Sequence, residues 1–338
     1  MNRRAFTALA GSALVAFPLR ARATGGLDIA GPSTNYAVRV LLASDAPASP
    51  TPLDAWHFAW DGRTYRGRYD LVALPDGRTG LLNTLPLDAY LAGVLGKEIS
   101  ASWAPEAQRA QAIASRTYAF GKLRPGKPYD VLASQSDQRY DGIESESVEG
   151  HAAVDATSGT IVVYAGAPAH VAYSACCGGR TADAGDVWNT PYPYLRSVVD
   201  PNCADTPGFA WNADVPAARL ASALGARLSD AGTLRDVRVV APPEPDARPE
   251  AVAFTGTRGS FETTPADLRA AIGPGIVRST FVREASLTDG GRSLALAGTG
   301  RGHGVGMCQS GMRALGERGA TASEILAFYF PGTTLGHV

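Results

Sequence analysis

Residues 85–121 read LPLDAYLAGVLGKEISASWAPEAQRAQAIASRTYAFG, and the periods in this stretch decide the fold class. Leu91, Val94, Leu95 and Glu98 recur three or four positions apart, the spacing of one face of an α-helix. A carboxylate therefore joins an otherwise apolar stripe. Pro105 stands where a second helix begins and Gly121 where it stops. The alanines between them let another helix approach closely, while Gln111 shares a face with Ala107, Ala114 and Tyr118. Two helices packed tightly around a few polar groups are the expectation.

Upstream, YAVRVLLAS at 36–44 reads as a buried strand. HFAWDGRTYRGRYDLVALPDGRTGLL at 57–82 supplies alternating segments broken at Asp61-Gly62 and Asp76-Gly77, both hairpin signals. Downstream, QSDQRYDG at 135–142 reads as a surface loop, and GHAAVDATSGTIVVYAG at 150–166 as a short helix followed by a strand. Closely spaced glycines, aromatics and prolines make 170–203 a system of shaped loops. VRVVAP and AVAFTG are strand-like and flank EPDARPE at 244–250, which reads as an excursion from a sheet, and the segment around Pro242 to Pro249 should lie outside the catalytic core. RSLALAGTGRGHGVGMCQSGM then passes from strand through a glycine-rich turn to a helix, and SEILAFYF forms a further helix. The order predicts a mixed α+β fold with two closely associated lobes and an intervening cleft.

Composition removes several functions. The chain has 338 residues, 45% of them hydrophobic, enough for a substantial core. Its 31 Lys+Arg balance 32 Asp+Glu, so no overall positive field recruits nucleic acid. With 38 Gly and 23 Pro and no strict period, neither collagen nor a bundle of long helices fits. Residues 1–23 read as an export signal: Arg3 and Arg4 precede an apolar run too short to span a bilayer, and Ala21-Arg22-Ala23 is a small-x-small cleavage pattern. The paired arginines favour the twin-arginine type, which exports folded proteins, over an ordinary secretory signal. A flexible leader at 24–34 and one domain at 35–335 complete the expected organisation, with a periplasmic or extracellular destination. Four cysteines, Cys176, Cys177, Cys203 and Cys308, suit an oxidising compartment. Adjacent Cys176 and Cys177 do not suit each other; Cys177 with Cys203 is the expected disulfide, against reduced cysteines packed as small hydrophobes.

Glu98 is the leading candidate for chemistry, because partial burial raises a carboxyl's proton affinity toward that of a general acid. A buried hydrogen bond or an ordinary salt bridge is the alternative. Gln111, Arg116, Gln138 and Tyr140 offer polar partners nearby. No Ser/His/Asp arrangement supports Ser174 as a nucleophile, and no G-x-G-x-x-G nucleotide loop is present.

The ordered blocks LPLDAYLAGVLGKEISASWAPEAQRAQAIASRTYAF, SDQRYDG, AVDATSGTIVVYAG, YSACCGGRT, YPYLRSVVD, ADLRAAIG, IVRSTF, GRGHGVGMCQSGMRALGERG and EILAFYFPGTTL resemble the SpoIID/LytB family over most of residues 35–335. That resemblance implies a peptidoglycan-active protein with the family's two-lobed architecture and a glycan-binding cleft. It implies lytic transglycosylation, with Glu98 as the catalytic acid and 1,6-anhydroMurNAc ends as products, or else a noncatalytic peptidoglycan-binding enhancer of a cell-wall amidase. Gln138 and Tyr140 would align sugar groups, His303 would donate to sugar or orient its loop, and Ser174 and Arg116 would be lesser sugar contacts. Arg116 would otherwise form a helix-to-loop salt bridge. His170 and Cys176, with five residues between them, match two ligand positions of zinc-containing members. The chemistry requires no cofactor, a structural zinc being the one metal the resemblance brings in. Glycan strands, including those lacking stem peptides, and a cell-wall amidase are the implied partners.

Overall fold

The computed structural model describes residues 36–46, 49–244 and 246–338. The expected signal and leader lie outside the described residues, and among the described residues no helix is long and apolar enough to cross a membrane. The first part is a set of hairpins: β1 (Ala37–Ala43), β2 (Thr51–Pro52), β3 (His57–Trp60), β4 (Arg63–Arg66), β5 (Arg68–Ala73) and β6 (Thr79–Pro86). Asp61 and Gly62 both adopt positive φ, 49° and 71°, the type I′ geometry whose twist matches antiparallel strands, and they join β3 to β4 as expected.

β6 runs directly into α1 (Leu87–Glu98), and after a short turn α2 (Pro105–Lys122) begins with Pro105 in its first turn. The strand β7 (Val131–Leu132) returns to pair parallel with β1, giving the sheet order β5-β6-β1-β7. Leu87, Leu91, Val94 and Leu95 are buried with Val38, Val40 and Leu85 of the sheet, so the helical stripe read from the sequence faces this core. The opposite side of α1 meets a 3₁₀ turn at Ile143–Ser145, where the Ser145 hydroxyl donates to the Gly93 carbonyl at 2.8 Å. A Cβ on Gly96 would lie 1.7 Å from the Ser145 carbonyl oxygen. Gly96→Ala is therefore expected to cost about 1–3 kcal/mol through overpacking; an unchanged denaturant midpoint would show that the turn moves aside freely.

Next come α3 (Val148–Ala156) and β8 (Thr160–Tyr164), the expected short helix and strand. β9 (Ala167–Pro168), β10 (Tyr173–Ser174) and α4 (Ala184–Trp188) lie within the loop-rich stretch. A region of two three-stranded sheets follows: β11 (Ala210–Val215), α5 (Ala217–Ala231), β12 (Leu234–Val240), β13 (Ala251–Gly256), β14 (Ser260–Thr263), α6 (Pro265–Ile272), β15 (Val282–Thr288) and β16 (Ser293–Thr299). The strands order as β11-β16-β15 and β12-β13-β14 around their own apolar cluster, which includes Trp211, Phe254 and Leu294. β12 and β13 form the hairpin whose connection carries the EPDARPE excursion. That connection packs one residue against the loop after β10. Arg248 donates to the Cys177 and Arg180 carbonyls at 2.9 and 2.7 Å and packs over Phe281, because a guanidinium is the group able to satisfy several buried loop carbonyls at once.

Finally β17 (Met307–Cys308) pairs parallel with β10, α7 (Gln309–Glu317) and α8 (Ala322–Tyr329) pack on α2, and β18 (Thr334–His337) pairs with β8. The mixed α+β class expected from the sequence is the one observed.

Candidate functional site

Glu98 is the last residue of α1, where the helix gives way to extended backbone at Ile99. The turn behind it is held by Gln108, whose amide donates to the Ala101 and Trp103 carbonyls at 2.9 and 2.8 Å. These bonds fix where α2 starts relative to the carboxyl. Glu98 is partly buried, and its Oε2 accepts a hydrogen bond from the Gln309 side chain at 3.0 Å. Gln309 opens α7 and is delivered by the glycine-rich turn at 300–306.

From Gln309 a polar chain runs inward. Its amide also reaches Gln111 Oε1 at 3.4 Å; Gln111 donates to the Ser115 hydroxyl at 3.0 Å, and Ser115 to the Tyr173 hydroxyl at 3.4 Å. Gln138 donates to the same Tyr173 oxygen at 2.8 Å and to the Ser115 carbonyl at 3.2 Å, and accepts from the Tyr90 hydroxyl at 3.2 Å. Such a satisfied buried network holds its members in one arrangement.

Burial raises the proton affinity of Glu98 above that of an ordinary carboxyl, opposed by hydrogen bonds from Gln309 and the Arg139 backbone N–H. Two other carboxyls, Asp137 and Asp141, shift the other way. Burial works against ionisation of Asp137, but Tyr118, the Leu132 N–H and Lys122 outweigh it. Burial also opposes ionisation of Asp141, yet Lys97 at 2.9 Å, with Arg63 and Arg139, holds it below the usual range.

The raised proton affinity of Glu98 has a direct consequence for stability. A carboxyl whose folded pKa lies above its unfolded value adds stability that is fully present below the unfolded pKa and lost as pH rises through the folded one. Relative to Glu98→Gln, the native protein is expected to lose stability as pH climbs past the ordinary carboxylate range. Paired thermal melts at acidic and mildly alkaline pH check this; a difference independent of pH would contradict the burial of the charge.

The expected sugar contacts are mostly turned inward. Gln138 and Tyr140 are buried, so the 135–142 stretch is a surface loop only in part; Tyr140 packs against Tyr90 and Tyr65 and donates to Asn83 Oδ1 at 3.2 Å. Arg116 is completely buried and not available to glycan. Its salt bridge runs helix to helix, to Asp88 at 3.0 Å, and not helix to loop. Ser174 is buried, and its hydroxyl finds no partner among the described residues. His303 lies against Trp188 with ring centroids 5.0 Å apart and accepts from the Val305 N–H at Nδ1; burial pushes its pKa down to about 4, so the ring is neutral.

The expected zinc pair does not assemble. His170 stacks on Tyr192, centroids 4.8 Å apart and planes nearly parallel, on an exposed position, whereas Cys176 is buried. Among the described residues, neither belongs to the group of side chains placed to ligate one ion jointly, which is Cys177, Asp200, Cys203 and Cys308. The four cysteines are free thiols, with Cys177 and Cys203 in contact at 3.5 Å where the disulfide was expected. Gln309, Tyr173, Tyr90 and Asp200 escaped the sequence reading; for Gln309 the available signal was its place directly after the glycine-rich turn.

A family model described as stage II sporulation protein, SpoIID, matches residues 75–164, the stretch that carries Glu98, Gln111 and Gln138. The chain is 30% identical over 282 residues to an uncharacterized protein of Brachyspira hyodysenteriae, covering 82% of this chain and 74% of that protein. It is 30% identical over 295 residues to a protein of Bacillus subtilis named amidase enhancer, covering 72% of this chain but only 40% of that relative. With the stage II sporulation protein D of Bacillus subtilis, identity is 25% over 283 residues, covering 78% of this chain and 79% of the relative.

Proposed function

Because the chain belongs to the SpoIID family of stage II sporulation proteins, we propose that it is exported, engages peptidoglycan glycan strands in a cleft between two lobes, and enhances a cell-wall amidase. The observation that carries this reading is the 30% identity, over 295 residues, to the relative named for amidase enhancement. The inward commitment of Gln138, Tyr140 and Arg116 supports it as well. Those side chains are engaged within the scaffold.

A second reading, lytic transglycosylation, is favoured by the proton affinity of Glu98. A protonated Glu98 donates to the glycosidic oxygen as the C1–O bond breaks. The resulting carboxylate then takes the proton of the MurNAc C6 hydroxyl as O6 bonds to C1. The product is a 1,6-anhydro end, and neither water nor a second carboxylate is consumed.

One experiment separates the readings: the protein is incubated with intact and with amidase-stripped peptidoglycan, alone and beside a wall amidase, and products are analysed by mass spectrometry. Faster peptide release by the amidase, with no new anhydro ends, is the result expected of an enhancer. Anhydro ends formed by the protein alone would instead establish the second reading. Failure to bind glycan, stimulate the amidase or form anhydro ends would overturn both.

A further inference from the structure

We infer that Cys177, Cys203, Cys308 and Asp200 form a structural metal site for a single thiophilic dication of zinc type, with a ligand set distinct from His170 and Cys176. The four residues come from three separated parts of the chain: the loop after β10, the 3₁₀ turn at Pro201–Cys203, and the start of α7. All four are buried, and their ligating atoms lie within 4.8 Å of one another. Zinc–sulfur bonds of about 2.3 Å in a tetrahedron place ligand sulfurs roughly 3.8 Å apart. The 3.5 Å between Cys177 and Cys203 matches that spacing, as around one ion and not around a multi-iron cluster.

The charges and hydrogen bonds point the same way. Asp200 is fully buried beside three sulfurs, and among the described residues no lysine or arginine forms an ion pair with it. A carboxylate so placed is costly without a cation, and a dication supplies one. Its outer bonds are those of an oriented ligand: Asn202 donates to Oδ1 through its backbone and side-chain N–H at 3.0 and 2.8 Å, and the Tyr329 hydroxyl donates to Oδ2 at 2.9 Å. Cys308 accepts backbone N–H bonds from Cys177 at 3.2 Å and Gly311 at 3.4 Å, which fix the position of its sulfur beside Cys177 and Asp200.

Four protein ligands fill a tetrahedron and leave no open position, so the site is structural. Its purpose follows from sequence adjacency. Cys308 immediately precedes Gln309, so an ion that anchors Cys308 to the 177 and 203 segments also fixes the amide that holds Glu98. Gln309 is in this sense a positioning residue.

The test is metal content and thiol state of the full protein. Native mass spectrometry and elemental analysis of protein made with zinc present should find one zinc per chain and four unbridged thiols. Cys203→Ser should lose the metal, whereas His170→Ala and Cys176→Ser should keep it. Tyr329→Phe, which retains every ligand, should weaken zinc affinity about 10–100-fold. Should Cys203→Ser not fold, reduced wild-type protein titrated with cobalt(II) decides: thiolate-to-cobalt absorption reaching an endpoint at one equivalent supports the site, and its absence overturns it. A Cys177–Cys203 disulfide in protein that takes up no zinc, or loss of the metal in His170→Ala, would equally overturn it.

Discussion

Arg116→Ala is expected to remove about 3–5 kcal/mol of stability, the cost of stripping one partner from a buried ion pair. Arg116 is the largest of the fully buried side chains and donates to Asp88 Oδ1 at 3.0 Å, to Thr157 Oγ1 at 3.2 Å and to the carbonyls of Thr160 and Val154 at 3.3 and 3.0 Å. It thereby joins α1, α2, the end of α3 and the start of β8. Truncation leaves the Asp88 carboxylate buried with, among the described residues, the Ser158 hydroxyl at 2.7 Å to satisfy it, and takes a donor from each of the Thr160 and Val154 carbonyls. Guanidinium chloride unfolding, followed by circular dichroism, measures the loss. A shift of less than about 1 kcal/mol would place the pair in the class of solvated surface bridges and contradict its burial. Glycan affinity per folded molecule should not change, since Arg116 does not reach the surface.

Glu98→Gln is the second large effect and acts on chemistry rather than folding. The amide keeps the size of the side chain and an oxygen able to accept from Gln309, but has no acidic proton. On the catalytic reading, formation of 1,6-anhydro ends falls by roughly 10²- to 10⁴-fold, the contribution of a positioned acid, while binding to amidase-stripped glycan stays near that of the native protein. On the enhancer reading, stimulation of an amidase survives the substitution and neither protein makes anhydro ends. Anhydro ends produced equally by native and folded Glu98→Gln protein would remove Glu98 from the chemistry.

Much of the local structure was legible in the sequence because local periods encode it. The α1 stripe of Leu91, Val94 and Leu95, Pro105 at the start of α2, and the Asp61-Gly62 turn each follow from a few neighbouring residues. What could not be read depends on contacts between distant segments. Gln138 and Tyr140 sit in a polar stretch whose period does not say which side chains turn inward; Tyr90 and Asn83, about fifty positions away, draw them in. Arg116, expected as a sugar contact or a helix-to-loop salt bridge, is instead met by Asp88 of α1. The zinc pair came from the family resemblance, whereas the proposed ligand cluster is brought together by the fold, so that Cys308 lies 131 positions from the Cys177 N–H that it accepts. Asp200, with no nearby ligand motif, offered nothing to find.

The hydrogen bond between Gln309 and Glu98 spans 211 positions. At a ribosomal rate of about 5–20 residues per second, Gln309 is made roughly 10–40 s after Glu98. Throughout that interval α1 and α2 can form from their own local contacts, but the carboxyl lacks the amide that orients it. The candidate acid is therefore latent in the growing chain, and any copy released before Gln309 carries Glu98 in a scaffold that cannot set it. Competence is gained late in synthesis, a safeguard suited to a protein whose proposed target is the wall that encloses the cell.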